Sequence, residues 1–276
     1  MTNNNTVAQT YLHGNLLDAI KSALKEMGKT IDSLSIDDLA PVDEFHIGGR
    51  IATERFLDQL AFSNNSHVLD IGCGLGGAAR FVADRYHNQV TGIDLSAEYI
   101  ETGKTLCEWV NLDKQINLEH GSALDLPFSG HSFDSAYMMH VGMNIEDKPT
   151  LFSEVYRVLR PGSYLGIYDV MQQEQGELAF PVPWATTSST SYLATPESYI
   201  QALNDAGFTL IAQSNRRDFA IDFFNSLRAK TAAKGGPPPL GLHTLMQEST
   251  LTKIGNMIAN ISDNKIAPVE LIAQKN

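Results

Sequence analysis

Val68-Leu69-Asp70-Ile71-Gly72-Cys73-Gly74-Leu75-Gly76-Gly77 decides how the rest of the chain is read. An apolar run enters a glycine-rich turn, and Ala78-Ala79-Arg80-Phe81-Val82-Ala83 follows with helical composition. The pattern predicts a buried strand, a tight turn and a helix. Glycines there let the backbone pass close to a ligand, where a Cβ would collide or forbid the turn. Twenty-four residues after Asp70, the apolar run Val90-Thr91-Gly92-Ile93 ends in Asp94. A carboxylate at that strand tip is placed to accept hydrogen bonds from two ribose hydroxyls. Together the two strands predict a nucleoside-type ligand at the carboxyl edge of a parallel sheet.

The charge of that ligand follows from Asp70, which precedes the first glycine. A pyrophosphate would be repelled by this carboxylate, whereas S-adenosylmethionine brings an ammonium and a sulfonium. The spacing also departs from the dinucleotide fingerprint, because Gly76 intervenes between Gly74 and Gly77.

Composition narrows the field further. A chain of 276 residues holds one full α/β domain with appendages. Its net charge of −12 argues against a nucleic-acid partner, since phosphate contacts need a basic face. Arg216-Arg217, the adjacent pair, reads as a solvated strand end. No apolar run approaches the ~20 residues that span a bilayer, so no membrane partner is expected and the cytoplasm is the expected compartment. Cys73 and Cys107 form no metal-ligand spacing, and metal-independent chemistry is expected.

Along the chain, apolar residues recur at helical spacing over 9–28, a segment with Pro41 follows, and a helix is predicted from Ile51 to Phe62. Residues 1–62 thus read as an N-terminal helical lid, with Gly48-Gly49 suited to a hinge or a close ligand approach. Strands are predicted at 68–72, 89–94, 116–121, 133–139 and 163–170, alternating with helices at 76–86, 97–111 and 148–159. Residues 171–196 form an irregular cover within the 63–276 domain. A helix over 196–206, a strand over 208–214, a helical insertion over 218–261 and a closing strand over 266–273 complete the chain. The insertion is expected as two helices, 218–234 and 240–261.

The segments VLDIGCGLGG (68–77), GIDLS (92–96), GSALDLPF (121–128), SFDSAYMMHVGMNIEDK (132–148) and LFSEVYRVLRPGSYLGIYD (151–169) resemble, in order and spacing, the class I S-adenosylmethionine-dependent methyltransferases of the type 11 group. The resemblance implies a Rossmann-like α/β sheet with helices on both faces, a final antiparallel strand, N-terminal lid helices and a C-terminal helical cap. It also implies S-adenosylmethionine as cofactor. Asp70, Gly72, Gly74 and Gly76 match the methionine-binding loop, Asp94 the ribose acid and Leu95 an adenine contact. Ser122 and Ala123 fall where the family often reads the adenine edge with Asp-Ala, and Met139 joins the cofactor set. GGAARF (76–81) and the closing Ile266-Ala267-Pro268-Val269-Glu270-Leu271 are similar to sarcosine/dimethylglycine N-methyltransferases, although His140 and Asn144 replace that subgroup's Asp and His. GMNIED (142–147) is similar to quinone C-methyltransferases.

The expected activity is methyl transfer to a small molecule by in-line displacement, with a small amine as acceptor. The alternatives are a quinone or isoprenoid-like acceptor methylated on carbon or oxygen, and a non-catalytic S-adenosylmethionine-binding protein. A polar pocket holding Arg50 would favour the amine; an apolar cap over 171–196 and 218–250 would favour the lipophilic acceptor. His140, after the fourth strand, is the expected general base, ahead of His46 and His13. Asn144 and the aromatics Tyr11, Phe45, Tyr137, Tyr168 and Trp184 are weighed as substrate contacts or core. Nothing in the pattern sets the oligomeric state, and a homo-oligomer is compatible with it.

Overall fold

The computed structural model describes residues 11–276. Of the helix predicted over 9–28, the structure forms α1 (Leu16–Glu26); positions 9 and 10 lie outside the described residues. Asn15, at its N-cap, makes no capping bond. Glu98 from a distant helix replaces it, accepting the backbone N–H groups of His13 at 2.7 Å, Gly14 at 3.0 Å and Leu16 at 3.1 Å. Helices α2 (Ile36–Asp43) and α3 (Gly49–Leu57) complete the N-terminal segment.

The sheet follows: β1 (His67–Ile71), α4 (Gly77–Tyr86), β2 (Gln89–Asp94), α5 (Ala97–Trp109), β3 (Ile116–His120), β4 (Phe133–Met139), α6 (Lys148–Val158) and β5 (Leu159–Gln172). Then come α7 (Pro196–Ala206), β6 (Phe208–Asn215), α8 (Arg217–Ala233), α9 (Leu242–Met246), α10 (Thr250–Ser262) and β7 (Ile266–Lys275). Spatial order is β3-β2-β1-β4-β5-β7-β6, and β7 runs antiparallel to both of its neighbours. The other pairings are parallel. Asp70 pairs in register with Gly92 and Tyr137, so the glycine turn leaves the centre of the sheet. Order reverses at β1 and β4, and the crevice opens outside their carboxyl ends.

Local chemistry accounts for most boundaries. Ser96, Asp147 and Thr195 cap α5, α6 and α7 through their side chains, and Gly207 ends α7 at φ 103°. The strand predicted from 163 begins at Leu159, so Arg160-Pro161-Gly162 sits inside β5, whose pairing with β4 shifts between Phe133 and Ser135. The predicted 240–261 helix is broken. Gln247 adopts φ 52°, and the hydroxyls of Ser249 and Thr250 donate to the carbonyls of Met246 and Gln247. Such back-bonding competes with helix propagation.

Each face of the sheet is covered by its own apolar cluster. One centres on Ile71, Met138, Phe152 and Leu203, the other on Phe56, Val82, Ile100 and Tyr137. A third joins Trp184 of the irregular cover to Phe224 of α8 and Met257 of α10. The cover is pinned by α10, where the Asn260 amide bonds both the N–H and the carbonyl of Ala179. No helix among the described residues is long and apolar enough to cross a membrane.

Candidate active site

The glycine turn is fastened to β2. Gly72 and Cys73 both donate backbone N–H groups to the Ile93 carbonyl, at 2.8 and 3.1 Å. Gly72 has φ 69°, and a Cβ there would lie 2.5 Å from Val141. Gly74 has φ 54°, but a Cβ would meet only the Tyr99 ring, at 3.9 Å. Its Cα therefore faces open space, the kind of cradle a ligand fills.

That space is a cavity of about 1280 Å³ over the carboxyl edges of β1, β2 and β4. All the predicted cofactor residues line it except Gly76, and so does His140. Gly76 instead caps α4 at φ 78°, with Leu118 and Arg80 packed against it. Its glycine identity serves the turn and the helix packing, which the motif alone could not separate from ligand contact.

Two carboxylates define the polar end. Asp94 accepts Gly74 N–H at 2.9 Å through Oδ2 and Ser96 N–H at 2.8 Å through Oδ1. Each oxygen keeps a lone pair, which suits two vicinal hydroxyls. Asp70 is buried, and its Oδ2 has no hydrogen-bond partner. Burial pushes the Asp70 carboxyl up to about 7, with the Tyr137 hydroxyl opposing the shift, and also raises Asp94. An orphaned buried carboxylate is the group an ammonium would satisfy. The residues present therefore fit S-adenosylmethionine. Ser122 lines the cavity, and its Oγ accepts the Leu124 N–H at 3.2 Å.

Opposite lies a histidine pair. His140 has φ 59°, a left-handed conformation, and its N–H donates to the Tyr168 carbonyl at 2.7 Å. Its ring centroid lies 6.0 Å from that of His46 and 5.0 Å from Tyr168. Burial lowers the pKa of both histidines, His140 the more strongly, with neighbouring His46 adding to the effect. Buried Glu44 and Thr53, which no motif marks, surround His46: Thr53 Oγ1 lies 2.9 Å and Glu44 Oε2 3.4 Å from its Nε2. His13, the third candidate, does not line the cavity.

Several sequence candidates turn out to be committed elsewhere. Arg50 does line the cavity, but it donates to Glu44 at 2.6 Å and to Asp37 at 3.2 Å, so its guanidinium is not held ready for a substrate carboxylate. The Asn144 amide bonds the Tyr11 hydroxyl at 3.1 and 3.3 Å, tying the β4 loop to the N-terminal segment. Tyr137 and Tyr168 are fully buried in the core. Trp184 is buried too and donates Nε1–H to Ser191 at 2.9 Å, although one edge lines the cavity. Arg216 bonds buried Glu270, and Arg217 bonds the Ile261 and Ser262 carbonyls, both structural roles.

Beyond the histidines the lining is mainly apolar, with Met143 from the β4 loop, Phe223, Phe224 and Leu227 from α8, and Ile254 and Ile258 from α10, although Arg228, Thr231 and Thr250 also reach it.

A sheet of this order with antiparallel β7, a glycine turn after β1 and an acid ending β2 defines the class I S-adenosylmethionine-dependent methyltransferase fold. The chain carries a domain of that kind: residues 69–167 match the model of the methyltransferase domain. It is 32% identical over 177 residues to the O-methyltransferase resE of Aspergillus sclerotiorum, covering 61% of this chain and 66% of that one. Among solved structures it is similar to phosphoethanolamine N-methyltransferase 2 of Haemonchus contortus, with TM-score 0.72, 21% identity, and coverage of 91% of this chain and 59% of that one. It is also similar to a sarcosine dimethylglycine methyltransferase candidate from Galdieria sulphuraria, with TM-score 0.65, 18% identity, and coverage of 82% and 85%. The matches span between about half and two thirds of the length of the first curated relatives.

Proposed function

We propose that this protein is a methyltransferase that moves the methyl group of S-adenosylmethionine to a hydroxyl of a bulky, largely apolar small molecule. The observation that carries the reading is the two-ended cavity. Its polar end holds Asp70, Asp94 and Gly74, and its far end is mainly apolar where α8 and α10 cover it. When bound, the cofactor supplies a sulfonium-activated methyl group and leaves as a neutral thioether.

The chain's own residues bind, orient and exclude water. Asp94 would hold the ribose, Asp70 the ammonium, and the Gly72–Gly74 backbone the methionine part. The cap would bury the acceptor and align its oxygen. This acceptor differs from the small amine expected from the sequence. A zwitterionic amine needs a partner for its carboxylate, and Arg50 is spent on Glu44 and Asp37. An apolar cap instead favours an acceptor whose burial is itself favourable. The O-methyltransferase relative is consistent with transfer to oxygen.

Calorimetric titration with S-adenosylmethionine, followed by mass-spectrometric detection of S-adenosylhomocysteine over a panel of phenols, hydroxyquinones and small amines, tests the reading. Product with aromatic hydroxyl compounds and none with amines is expected. Product with amines alone would overturn the acceptor assignment, and absence of cofactor binding would overturn the activity.

A further inference from the structure

Two histidines line the region between the cofactor turn and the apolar cap, and their surroundings set opposite tautomers. Around His46 Nε2 lie the Gly49 carbonyl at 3.2 Å, Thr53 Oγ1 at 2.9 Å and Glu44 Oε2 at 3.4 Å. A carbonyl and a carboxylate only accept hydrogen bonds, and the Thr53 hydroxyl spends its proton on Glu44 Oε2. Nε2 of His46 therefore carries the ring proton, and Nδ1 carries the lone pair. At His140 the arrangement is reversed. The Ile47 N–H donates to its Nε2 at 3.4 Å, which leaves the proton on Nδ1, a buried atom without a partner.

We propose that His46, rather than His140, takes the proton of the acceptor hydroxyl, and that Thr53 and Glu44 are positioning residues that hold its tautomer. This rests on the oxygen-acceptor reading above. The O–H bond breaks, its proton goes to Nδ1 of His46, and the freed electron pair of the oxygen is the one that bonds the incoming methyl carbon. The imidazolium so formed is met by Glu44, directly and through Thr53. Arg50 donates to the other Glu44 oxygen at 2.6 Å and fixes that carboxylate in place. His140 is left as a hydrogen-bond donor beside the site. The sequence pointed to His140 because it follows a strand at the ligand edge; a lone pair engaged by a backbone N–H is a feature only the folded chain displays.

The first test needs neither cofactor nor acceptor. Long-range ¹H–¹⁵N spectra of protein labelled with ¹⁵N-histidine, assigned by the loss of signals in His46→Gln and His140→Gln, report the tautomer of each ring. At pH 7.5 His46 is expected as a neutral Nε2–H ring and His140 as a neutral Nδ1–H ring. Thr53→Val is expected to mix the His46 tautomers, and Thr53→Ser to restore the wild-type pattern. The Nδ1–H tautomer at His46 in the wild type would overturn the proposal. So would a hydroxyl acceptor turned over at the wild-type rate by Thr53→Val; at least a tenfold fall in kcat with unchanged cofactor affinity is expected instead. Failure to find any methylated hydroxyl compound would count against the acceptor reading, while the tautomer spectra would still judge the histidine assignment.

Discussion

The Asp94 carboxylate accepts the backbone N–H of Gly74 at 2.9 Å, so the acid ending β2 and the turn leaving β1 are held as one unit. The same carboxylate secures Ser96 at the start of α5. A single side chain thus shapes the turn and still offers lone pairs to a ligand.

Asp94→Ala is expected to weaken S-adenosylmethionine binding by about 1–3 kcal/mol, the scale of a lost charge-assisted hydrogen bond. Asp94→Asn should also bind poorly, because its NH₂ group would face one of the two N–H donors. Titration calorimetry checks both, and unchanged affinity would refute the ribose assignment.

Asp70 is expected to make cofactor binding pH-dependent. With its carboxyl raised to about 7, Asp70 itself is neutral below that pH and anionic above it in the cofactor-free protein. Affinity for a cationic ligand should rise from pH 6 to pH 8 and then level off. Asp70→Asn should bind weakly at every pH. The stability of the cofactor-free protein runs the other way. A folded pKa raised above its ordinary value stabilises at low pH, and that contribution is lost as pH rises from about 4 through 7, by about 1.4 kcal/mol per pH unit at most. Asp169, raised to about 6 by burial, acts in the same direction. Asp70→Asn should therefore melt at a higher temperature than the wild type at pH 8 without ligand.

Two neighbouring glycines should fail differently. Both have positive φ, where an L-residue costs about 1–2 kcal/mol. Gly72→Ala adds a clash with Val141, so its defect should appear as a large loss of thermal stability. Gly74→Ala places its methyl in open space and should fold with a small stability loss, yet bind cofactor more than tenfold weaker. Melting curves with and without ligand separate the two.

The N-terminal segment is fixed to the core by the buried ion pair of Asp43, on α2, with Arg80, on α4. Asp43→Ala leaves the guanidinium buried without its carboxylate and should destabilise by about 3–5 kcal/mol. Denaturant unfolding measures the loss.

Phe223 on α8 reports on the apolar end. Replacing it with Ser removes about 1.5–3 kcal/mol of burial from an acceptor packed against it. The KM for a lipophilic acceptor should rise about tenfold or more while cofactor affinity holds. Steady-state formation of S-adenosylhomocysteine over acceptor concentration is the check.

The sheet and the cofactor turn were legible in the sequence because both are local. Apolar periodicity, capping residues and glycine–acid spacing act within a few residues, and the strands at 89–94 and 133–139 and the helix at 196–206 fall where that chemistry puts them. Other features had no such signature. Glu98 caps a helix more than eighty residues away, and the break at Gln247 depends on hydroxyls competing for helical carbonyls. Arg50 reads as a substrate clamp until its carboxylate partners are seen, and His46 reads as a lesser candidate until Thr53 and Glu44 surround it. By itself the sequence determined the class of fold and the residues expected at the cofactor end, which, Gly76 apart, line the cavity. Only tertiary structure decided the mainly apolar lining of the cavity's far end and the hydrogen-bond partners of the two histidines. Those properties arise from hydrogen bonds and packing between segments far apart in the chain, which follow no period along it.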